Sequence, residues 1–351
     1  MSSGGPDRPV PDRPVIVLGC PRSGTTMLQV ALHAHPRMAI GPETWLLVDA
    51  YRDRLRFGDL QTRVGKEALV DWLLRRRKVR DLRLGRERVH ELVLEAPPTL
   101  GSALGAVLQG YAQRFDKPRW GDKRPAYYQD VPAVLRLFPD AQFVHLVRDP
   151  RACVASLQRM PWWQQGTPAA LAAWVEAVDY GAHWRTRLGP SSWHELRYEQ
   201  LVADPEPELR RLCDYLGEAY DPAMTQPDSV PRAAVPRRKT WHSRARSGMD
   251  SDRTTAYREG LDLADLQLVE RVAGSRLQEA GYELEEVGRP PARLLAEYAR
   301  VAAHRRLSQR KLQAQDLLRD RRAGTPVAAL LTSGQRALAG LPPVPGPGQS
   351  G

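Results

Sequence analysis

The chain has 351 residues, a formal net charge of +11 and a hydrophobic fraction of 42%, so its body should fold around a sizeable core rather than stay disordered. Its three cysteines, at positions 20, 153 and 213, have neither the number nor the spacing of a disulfide framework or a metal site. No signal-peptide pattern opens the sequence and no apolar run approaches the roughly 18 residues of a membrane span, so we expect a cytoplasmic protein.

The positive charge is concentrated near the C-terminus. Residues 291–322 hold nine Lys and Arg against three Asp and Glu, a surplus of six out of the total of +11. The rest of the chain is therefore only mildly basic. A body of this kind suits an anionic ligand better than a surface that follows nucleic acid.

The first predicted elements are a strand, a loop and a helix. After a Pro- and Gly-rich tail over residues 1–14, the apolar run VIVL at residues 15–18 is typical of a strand buried on both faces of a parallel sheet. The glycine-bounded segment 19–24 predicts a turn, and residues 25–33 continue with a helical pattern. Residues 44–116 are mostly helical in pattern as well.

Three more strands, each followed by a helix, are predicted in the middle of the chain. The strands cover residues 119–123, 142–148 and 192–198, and the helices cover about 130–138, 168–188 and 206–216. Asp149 and Pro150 form a helix start, with Asp as the N-cap and Pro in the first turn. Strands that alternate with helices predict an α/β fold, with a central parallel sheet of about four to five strands flanked by helices.

The last third of the chain changes in character. Residues 222–256 are rich in Pro, Arg and Ser and predict a loop or lid, and extra C-terminal helices are expected at about 263–280 and 291–322. We divide the chain into a flexible tail (1–14), one domain (15–285), a basic helical extension (286–322) and a mostly flexible tail (323–351).

The loop Gly19-x-x-x-x-Gly24-Thr25-Thr26 carries the strongest chemical signal. The backbone N–H groups of such a loop and the following helix N-terminus point at one spot and stabilise an oxyanion there. The pattern is that of a P-loop, but Thr25 stands where the lysine that reaches the phosphates of a nucleoside triphosphate is expected. Arg22 supplies positive charge from inside the loop instead, and no predicted strand ends in an acid suited to hold Mg²⁺.

The motif PRSGTT at residues 21–26 resembles the 5′-phosphosulfate loop of the sulfotransferases that use 3′-phosphoadenosine 5′-phosphosulfate (PAPS). A second signature of that family, which binds the 3′-phosphate, is an Arg at a strand end with a Ser eight residues later, and Arg148 and Ser156 match it. Both are expected at the carboxyl edge of the sheet, where open α/β folds bind ligands. The resemblance implies a P-loop-like fold, PAPS as co-substrate and a donor site formed by Arg22, Ser23, Gly24, Thr25, Thr26, Arg148 and Ser156.

Segments 15–45 and 197–217 resemble one branch of that family, the tyrosylprotein sulfotransferases and their bacterial relatives. In that branch an acid shortly after the loop helix is the general base, and Glu43 matches it. A lysine before a short helix contacts the bridging oxygen, and Lys123 matches that lysine. The resemblance thus implies a catalytic pair of one carboxylate and one ammonium group.

Further residues follow from the same resemblance. His33 and His35 stay open as rivals to Glu43, because a histidine is the base elsewhere in the wider family. Tyr198 is expected to line the nucleotide site, with packing in the core as the alternative. A basic loop folds over the 3′-phosphate in the family, which indicates Arg237, Arg238 and Lys239 without a choice among them.

The chemistry of these residue types agrees with the roles that the resemblance implies. An acceptor hydroxyl must lose its proton as its bond to sulfur forms, and a carboxylate such as Glu43 can take that proton. Negative charge builds on the departing 5′-phosphate oxygen, where Lys123 and Arg22 would stabilise it without a metal. We expect the acceptor to be a small molecule, glycan or lipid. Protein tyrosine is less favoured, because the chain shows no sign of the membrane anchor and disulfides of the tyrosylprotein enzymes.

Several hypotheses stay open beside this one. A P-loop kinase-like enzyme, a basic nucleic-acid-binding protein and a related protein that binds the nucleotide without turnover are the alternatives for the whole chain. The basic helix over 291–322 has three uses open to it: packing on the domain, pairing with another subunit, or peripheral contact with an anionic membrane.

Overall fold

The structure, a computed structural model, describes residues 13–226, 256–285, 287–322 and 327–330. Within these residues one sheet is formed, in the strand order β2-β3-β1-β4-β5, and every neighbouring pair of strands is parallel. The strands are β1 (Val15–Gly19), β2 (Met38–Ile40), β3 (Arg119–Lys123), β4 (Gln142–Val147) and β5 (Trp193–Arg197). The predicted α/β fold with a central parallel sheet is confirmed.

Helices cover both faces of this sheet. They are α1 (Thr25–Ala34), α2 (Leu46–Asp53), α3 (Arg63–Arg75), α4 (Arg86–Glu95), α5 (Leu100–Gln113), α6 (Val131–Leu137), α7 (Pro150–Gln158), α8 (Gly166–Leu188), α9 (Tyr198–Ala203), α10 (Pro205–Leu216), α11 (Leu263–Glu279) and α12 (Ala292–Arg322). Each crossover between parallel strands contains helix, as such connections require.

The central strand β1 has no exposed residue, as its apolar run predicted. Val15 and Val17 pack against α1, α9 and α10, whereas Ile16 and Leu18 pack into the larger cluster formed with α2 to α8 and α11. Successive side chains of a strand point to opposite faces, so an unbroken apolar run is what a strand between two helical layers needs.

Some elements differ from the prediction. Strand β2 was missed, because its three residues are too few to show a period of two. The strand predicted over 192–198 ends at Arg197, and Tyr198 begins α9 instead of closing the strand. Helix α8 begins at Gly166, two residues before its predicted start.

The helix start at Asp149-Pro150 is confirmed. The Asp149 carboxylate accepts a hydrogen bond of 2.7 Å from the backbone N–H of Arg151, and Pro150 lies in the first turn. Most of the predicted lid, including Arg237, Arg238 and Lys239, lies outside the described residues.

The basic helix α12 packs along α8 and reaches α2. Leu294, Leu295 and Tyr298 pack against the main core, and Arg305 donates to Glu176 of α8 at 2.6 Å. Near its end, Asp320 accepts hydrogen bonds from Tyr51 and from Arg54, at the end of α2. Among the residues described, no helix combines the length and apolarity that crossing a bilayer would need.

Candidate functional site

The carboxyl ends of the strands meet at one edge of the sheet, and the predicted site residues lie along that edge. Glu43 follows β2, Lys123 ends β3, the loop 19–24 follows β1, Arg148 follows β4 and Tyr198 follows β5. The strand order places the loop in the middle, with Glu43 and Lys123 on one side and Arg148 and Tyr198 on the other. This edge is where parallel α/β sheets bind ligands.

The loop has an unusual backbone that its glycines permit. Gly19 and Gly24 have φ values of 155° and 100°, and Arg22 has a φ of 73° although it is not a glycine. A Cβ on Gly24 would lie 2.6 Å from Cδ2 of Tyr198, so the close approach at Gly24 is made by a protein ring. A left-handed arginine costs about 1–2 kcal/mol, and such strain is typical of functional loops.

The end of the loop fits an anionic group. Helix α1 starts at Thr25 with neither a side-chain cap nor an acid in its first turn, so its first N–H groups and its dipole face outward. The hydroxyl of Ser23 is completely buried and has no hydrogen-bond partner among the described residues. A buried orphan hydroxyl beside an uncapped helix N-terminus is suited to an oxyanion such as a phosphate or sulfate.

One group of predicted residues comes together on the β4 side of the loop. Arg148 is buried, and its Nη1 donates to the carbonyl oxygen of Arg22 at 3.2 Å. Its guanidinium lies 4.0 Å from the ring centroid of Tyr198, which is itself buried. Arg22 Nε donates to Ser156 Oγ at 3.0 Å. The structure therefore groups Arg22 with the residues predicted for the 3′-phosphate.

The other group lies on the β3 side. The ammonium group of Lys123 is 3.4 Å from Glu43 Oε2 and 3.4 Å from Thr26 Oγ1. Lys123 is almost fully buried, whereas the Glu43 side chain stays partly exposed. A single cation thus links the candidate base to the first turn of the loop helix.

Two neighbours of this pair were missed by the sequence analysis. Asp122 is buried, and burial raises the pKa of its carboxyl to about 6 although Tyr127 donates a hydrogen bond to it. Trp45 donates its indole N–H to Glu43 Oε1 at 2.8 Å. Each lies within two residues of a predicted site residue, and this closeness in the sequence is the signal that could have indicated them.

The histidine rivals of Glu43 lie at the wrong end of α1. His33 is fully buried, its Nδ1 donates to the carbonyl oxygen of Ile40 at 3.1 Å, and burial lowers its pKa to about 4. His35 contacts the carbonyl oxygen of Ala219 at 2.8 Å. His33 lies seven residues further along the helix than Thr26, a rise of about 10 Å. Neither histidine can reach a proton at the loop.

A metal site is a separate question. Among the residues that the structure describes, no group of His, Cys, Asp and Glu side chains is arranged to hold a metal ion. The metal-free reaction stays a prediction.

Comparison with known proteins supports the resemblance. Residues 14–222 match the profile of the sulfotransferase family. The omega-hydroxy-beta-dihydromenaquinone-9 sulfotransferase Stf3 of Mycobacterium tuberculosis is 33% identical over 120 residues, which are 30% of this chain and 31% of that protein. Protein-tyrosine sulfotransferase A of Caenorhabditis elegans is 25% identical over 212 residues, 59% of this chain and 50% of that protein.

A solved structure is similar as well. The sulfotransferase domain of the Synechococcus PCC 7002 olefin synthase is 27% identical, with a TM-score of 0.50, over 78% of this chain and 98% of that one. The two curated relatives are matched over only 31% and 50% of their own lengths.

Proposed function

This chain belongs to the sulfotransferase family, and we propose that it transfers a sulfuryl group from PAPS to the hydroxyl of an acceptor. The observation that carries the proposal is the position of Lys123, whose ammonium group lies 3.4 Å from Glu43 and 3.4 Å from Thr26. One cation therefore stands between a carboxylate suited to take a proton and a loop suited to hold the donor.

The donor side of the proposal rests on the loop and on the Arg148 group. PAPS supplies an activated sulfuryl group attached to a 5′-phosphate. The uncapped start of α1 and the buried Ser23 hydroxyl would bind the phosphosulfate, with Gly24, Thr25 and Thr26 at the same place. Arg148, Ser156 and Arg22 would bind the 3′-phosphate, since their polar groups already contact one another.

The proposed donor site also includes Tyr198 and three lid residues. Tyr198 packs beneath Arg148 and against Gly24, so its proposed role is to hold the arginine in place. Arg237, Arg238 and Lys239 stay predictions for the lid over the 3′-phosphate.

The chemistry requires a base on one side of sulfur and a positive charge on the other. Glu43 would take the proton of the acceptor hydroxyl as the bond from acceptor oxygen to sulfur forms and the bond from sulfur to the 5′-phosphate oxygen breaks. Lys123 would stabilise the negative charge that this oxygen acquires. Arg22, placed beside Ser156, contributes charge from the opposite side of the loop. The sulfated acceptor and adenosine 3′,5′-bisphosphate leave.

The acceptor we propose is a small molecule, glycan or lipid, with protein tyrosine less favoured. The mycobacterial relative is named for a hydroxylated menaquinone and the worm relative for protein tyrosine. Mass spectrometry of a panel of alcohols, phenols, glycans, lipids and tyrosine-containing peptides incubated with PAPS tests this directly. A sulfate adduct on protein tyrosine alone would reverse the preference.

We propose domain boundaries at residues 285 and 322, a cytoplasmic location, and a reaction that needs no metal.

We also propose that α12 makes a peripheral contact with an anionic membrane. Its exposed residues include seven basic side chains and three leucines, at positions 293, 300, 306, 310, 311, 321 and 322 and at positions 307, 317 and 318.

Donor binding distinguishes this proposal from the kinase-like and nucleic-acid-binding alternatives. Adenosine 3′,5′-bisphosphate should raise the melting temperature, and ATP with Mg²⁺ should do so far less. Arg148→Ala should weaken bisphosphate binding about 100-fold, because a buried charged contact is lost. The exposed Arg210, replaced by Ala, is the control. An unchanged dissociation constant in Arg148→Ala would refute the 3′-phosphate assignment.

The base is tested by Glu43→Gln. Turnover should fall by about 10²–10⁴-fold while bisphosphate binding is unchanged, because the variant keeps the shape of the side chain and loses its basicity. Glu206→Gln, on the exposed face of α10, is the matched control. Near-normal turnover of Glu43→Gln would remove Glu43 as the base. A wild-type protein that binds the bisphosphate but sulfates nothing in the panel would favour a nucleotide-binding protein without turnover.

A further inference from the structure

Trp45, two residues after Glu43, has a backbone conformation that tryptophan rarely adopts. Its φ and ψ are 64° and 13°, in the left-handed region. For a residue with a Cβ this region costs about 1–2 kcal/mol. The side chain is also 37% exposed, so burial of the ring offsets only part of that cost. Because Trp45 is strained, exposed and beside a candidate base, we infer that it has a role that depends on its indole ring.

The indole group of Trp45 holds one oxygen of the Glu43 carboxylate. Its Nε1–H donates to Glu43 Oε1 at 2.8 Å, a hydrogen bond to a charged acceptor. The other oxygen, Oε2, faces the ammonium group of Lys123 at 3.4 Å. The terminal torsion of a glutamate is broad when nothing restrains it. Two different partners on the two oxygens therefore fix the plane of this carboxylate.

The indole ring is itself held in place from its surroundings. The Lys78 ammonium group lies 3.2 Å from the ring centroid, and the Arg124 guanidinium carbon lies 4.6 Å from it. Arg124 in turn donates to the carboxylate of Asp130 at 2.9 Å. Cations over an indole face are attracted by its quadrupole. Two separate chain segments thus orient Trp45, and Trp45 orients Glu43.

We propose that Trp45 is a positioning residue for Glu43. Its indole N–H anchors Oε1 of Glu43, so that Oε2 is the oxygen that takes the acceptor's proton. The proposal rests on the proposed function of Glu43 as general base. Lys123 lies between Oε2 and Thr26, so a turn of its ammonium group toward the loop releases Oε2 while Trp45 still holds Oε1. Trp45 contacts no reacting atom, and its effect is exerted through Glu43 alone.

The sharpest test removes the indole N–H and leaves the ring. Trp45 is replaced by β-(3-benzothienyl)alanine, in which sulfur stands for the N–H group, and in a second variant by phenylalanine. Turnover is measured with PAPS and the best acceptor of the panel, and binding with adenosine 3′,5′-bisphosphate. We expect kcat to fall about 10- to 100-fold in both variants with KM for PAPS and bisphosphate affinity unchanged, because a base displaced by about 1 Å loses most of its advantage.

Two controls keep the outcomes apart. Trp162→Phe changes another exposed tryptophan and should leave kcat unchanged. Glu43→Gln is measured in the same series. If Glu43→Gln is slow but the benzothienyl variant turns over like wild type, the positioning role of Trp45 is refuted and the base stands. If Glu43→Gln turns over like wild type, the proposed base itself fails.

A readout that needs no acceptor completes the test. In crystals of Trp45→Phe with adenosine 3′,5′-bisphosphate, the Glu43 carboxylate should rotate away from its wild-type position or lose order. A carboxylate that keeps its wild-type position in this variant would overturn the proposal whatever the acceptor proves to be.

Discussion

At the scale of single residues, Gly24 shows how closely the loop 19–24 is packed. Its φ of 100° is strained for any other residue, and a Cβ there would lie 2.6 Å from Cδ2 of Tyr198. We expect Gly24→Ala to destabilise the fold by about 3 kcal/mol, since backbone strain and a steric overlap with a buried ring add together. The added Cβ would also displace the Tyr198 ring, and Arg148, which packs on that ring, would move with it. Affinity for adenosine 3′,5′-bisphosphate should therefore fall as well.

Gly85 provides the matched control for this substitution. It has an ordinary φ of −64°, and a Cβ there would meet nothing within 4 Å. Thermal melts of Gly24→Ala and Gly85→Ala, each with and without the bisphosphate, separate the two cases. Equal melting temperatures in the two variants would show that the loop is looser than described.

The sequence could indicate the identity of several site residues but not their partners. The resemblance to the sulfotransferases indicated Glu43, Lys123, Arg148 and Ser156, and the structure places them in two groups at one edge of the sheet. The contact of Arg22 with Ser156 joins residues 134 positions apart, so local spacing could not show it. Such contacts depend on the order of the strands, which the sequence left open.

At the scale of elements, α12 is attached to the domain by a half-buried ion pair. Arg305 donates to Glu176 of α8 at 2.6 Å, and their side chains are only 24% and 11% exposed. Arg305→Met should lower stability by about 1–2 kcal/mol, because it leaves a largely buried carboxylate without its cation. Arg300→Met, on the exposed face of the same helix, should stay within about 0.5 kcal/mol of wild type.

Chemical denaturation followed by circular dichroism measures both variants. Adding Glu176→Gln to Arg305→Met should recover part of the loss, since the unpaired charge is then removed. Equal stabilities of Arg305→Met and Arg300→Met would mean that this ion pair contributes little to holding α12 on the domain.

The elements themselves were predicted to different degrees. β1 was recognisable because its residues form an unbroken apolar run, and β4 because it is mostly apolar although it contains Gln142 and His145. Asp149-Pro150 marked a helix start. Strand β2 was not recognisable, because three residues at the sheet edge become a strand through pairing with β3. The position of α12 could not be predicted from the sequence either, because its partner α8 is largely apolar and could pack against another helix through more than one face.

At the scale of the whole molecule, the buried His33 makes stability depend on pH. Burial and the charge of Lys117 lower its pKa from 6.5 to about 4, so the unfolded chain binds a proton below pH 6.5 that the folded chain does not. The stabilisation from neutral His33 is therefore complete above about pH 6.5 and is lost as the pH falls toward about 4. At about pH 5 the loss should be about 2 kcal/mol.

The measurement is the free energy of unfolding of wild type and His33→Gln at about pH 7.5 and about pH 5. The difference between the two proteins isolates His33 from Asp122, whose raised pKa of about 6 acts in the opposite direction. The exposed His183, replaced by Gln, is the control. A pH dependence that is the same in wild type and His33→Gln would contradict the prediction.

The exposed face of α12 affects which surface the whole molecule can bind. Arg300, Leu307, Lys311 and Leu318 are spaced seven, four and seven residues apart, so they form one stripe of alternating basic and apolar side chains. Leu307 and Leu318 are 64% and 54% exposed. Binding to a lipid surface requires exposed apolar side chains, whereas binding to nucleic acid does not. We expect the protein to bind vesicles that contain anionic lipid and to be released by salt.

The variants that test this contact remove three charges or two leucines. Each basic residue near an anionic bilayer contributes about 1 kcal/mol, so replacing Arg300, Lys311 and Arg321 by Gln should lower vesicle partitioning about 100-fold. The same replacement at the exposed Arg75, Arg77 and Arg80 removes equal charge from another surface and should have a much smaller effect. Leu307→Gln with Leu318→Gln should weaken binding to vesicles and leave binding to duplex DNA unchanged. Equal losses from both sets of basic residues would mean that net charge, and not α12, governs the interaction.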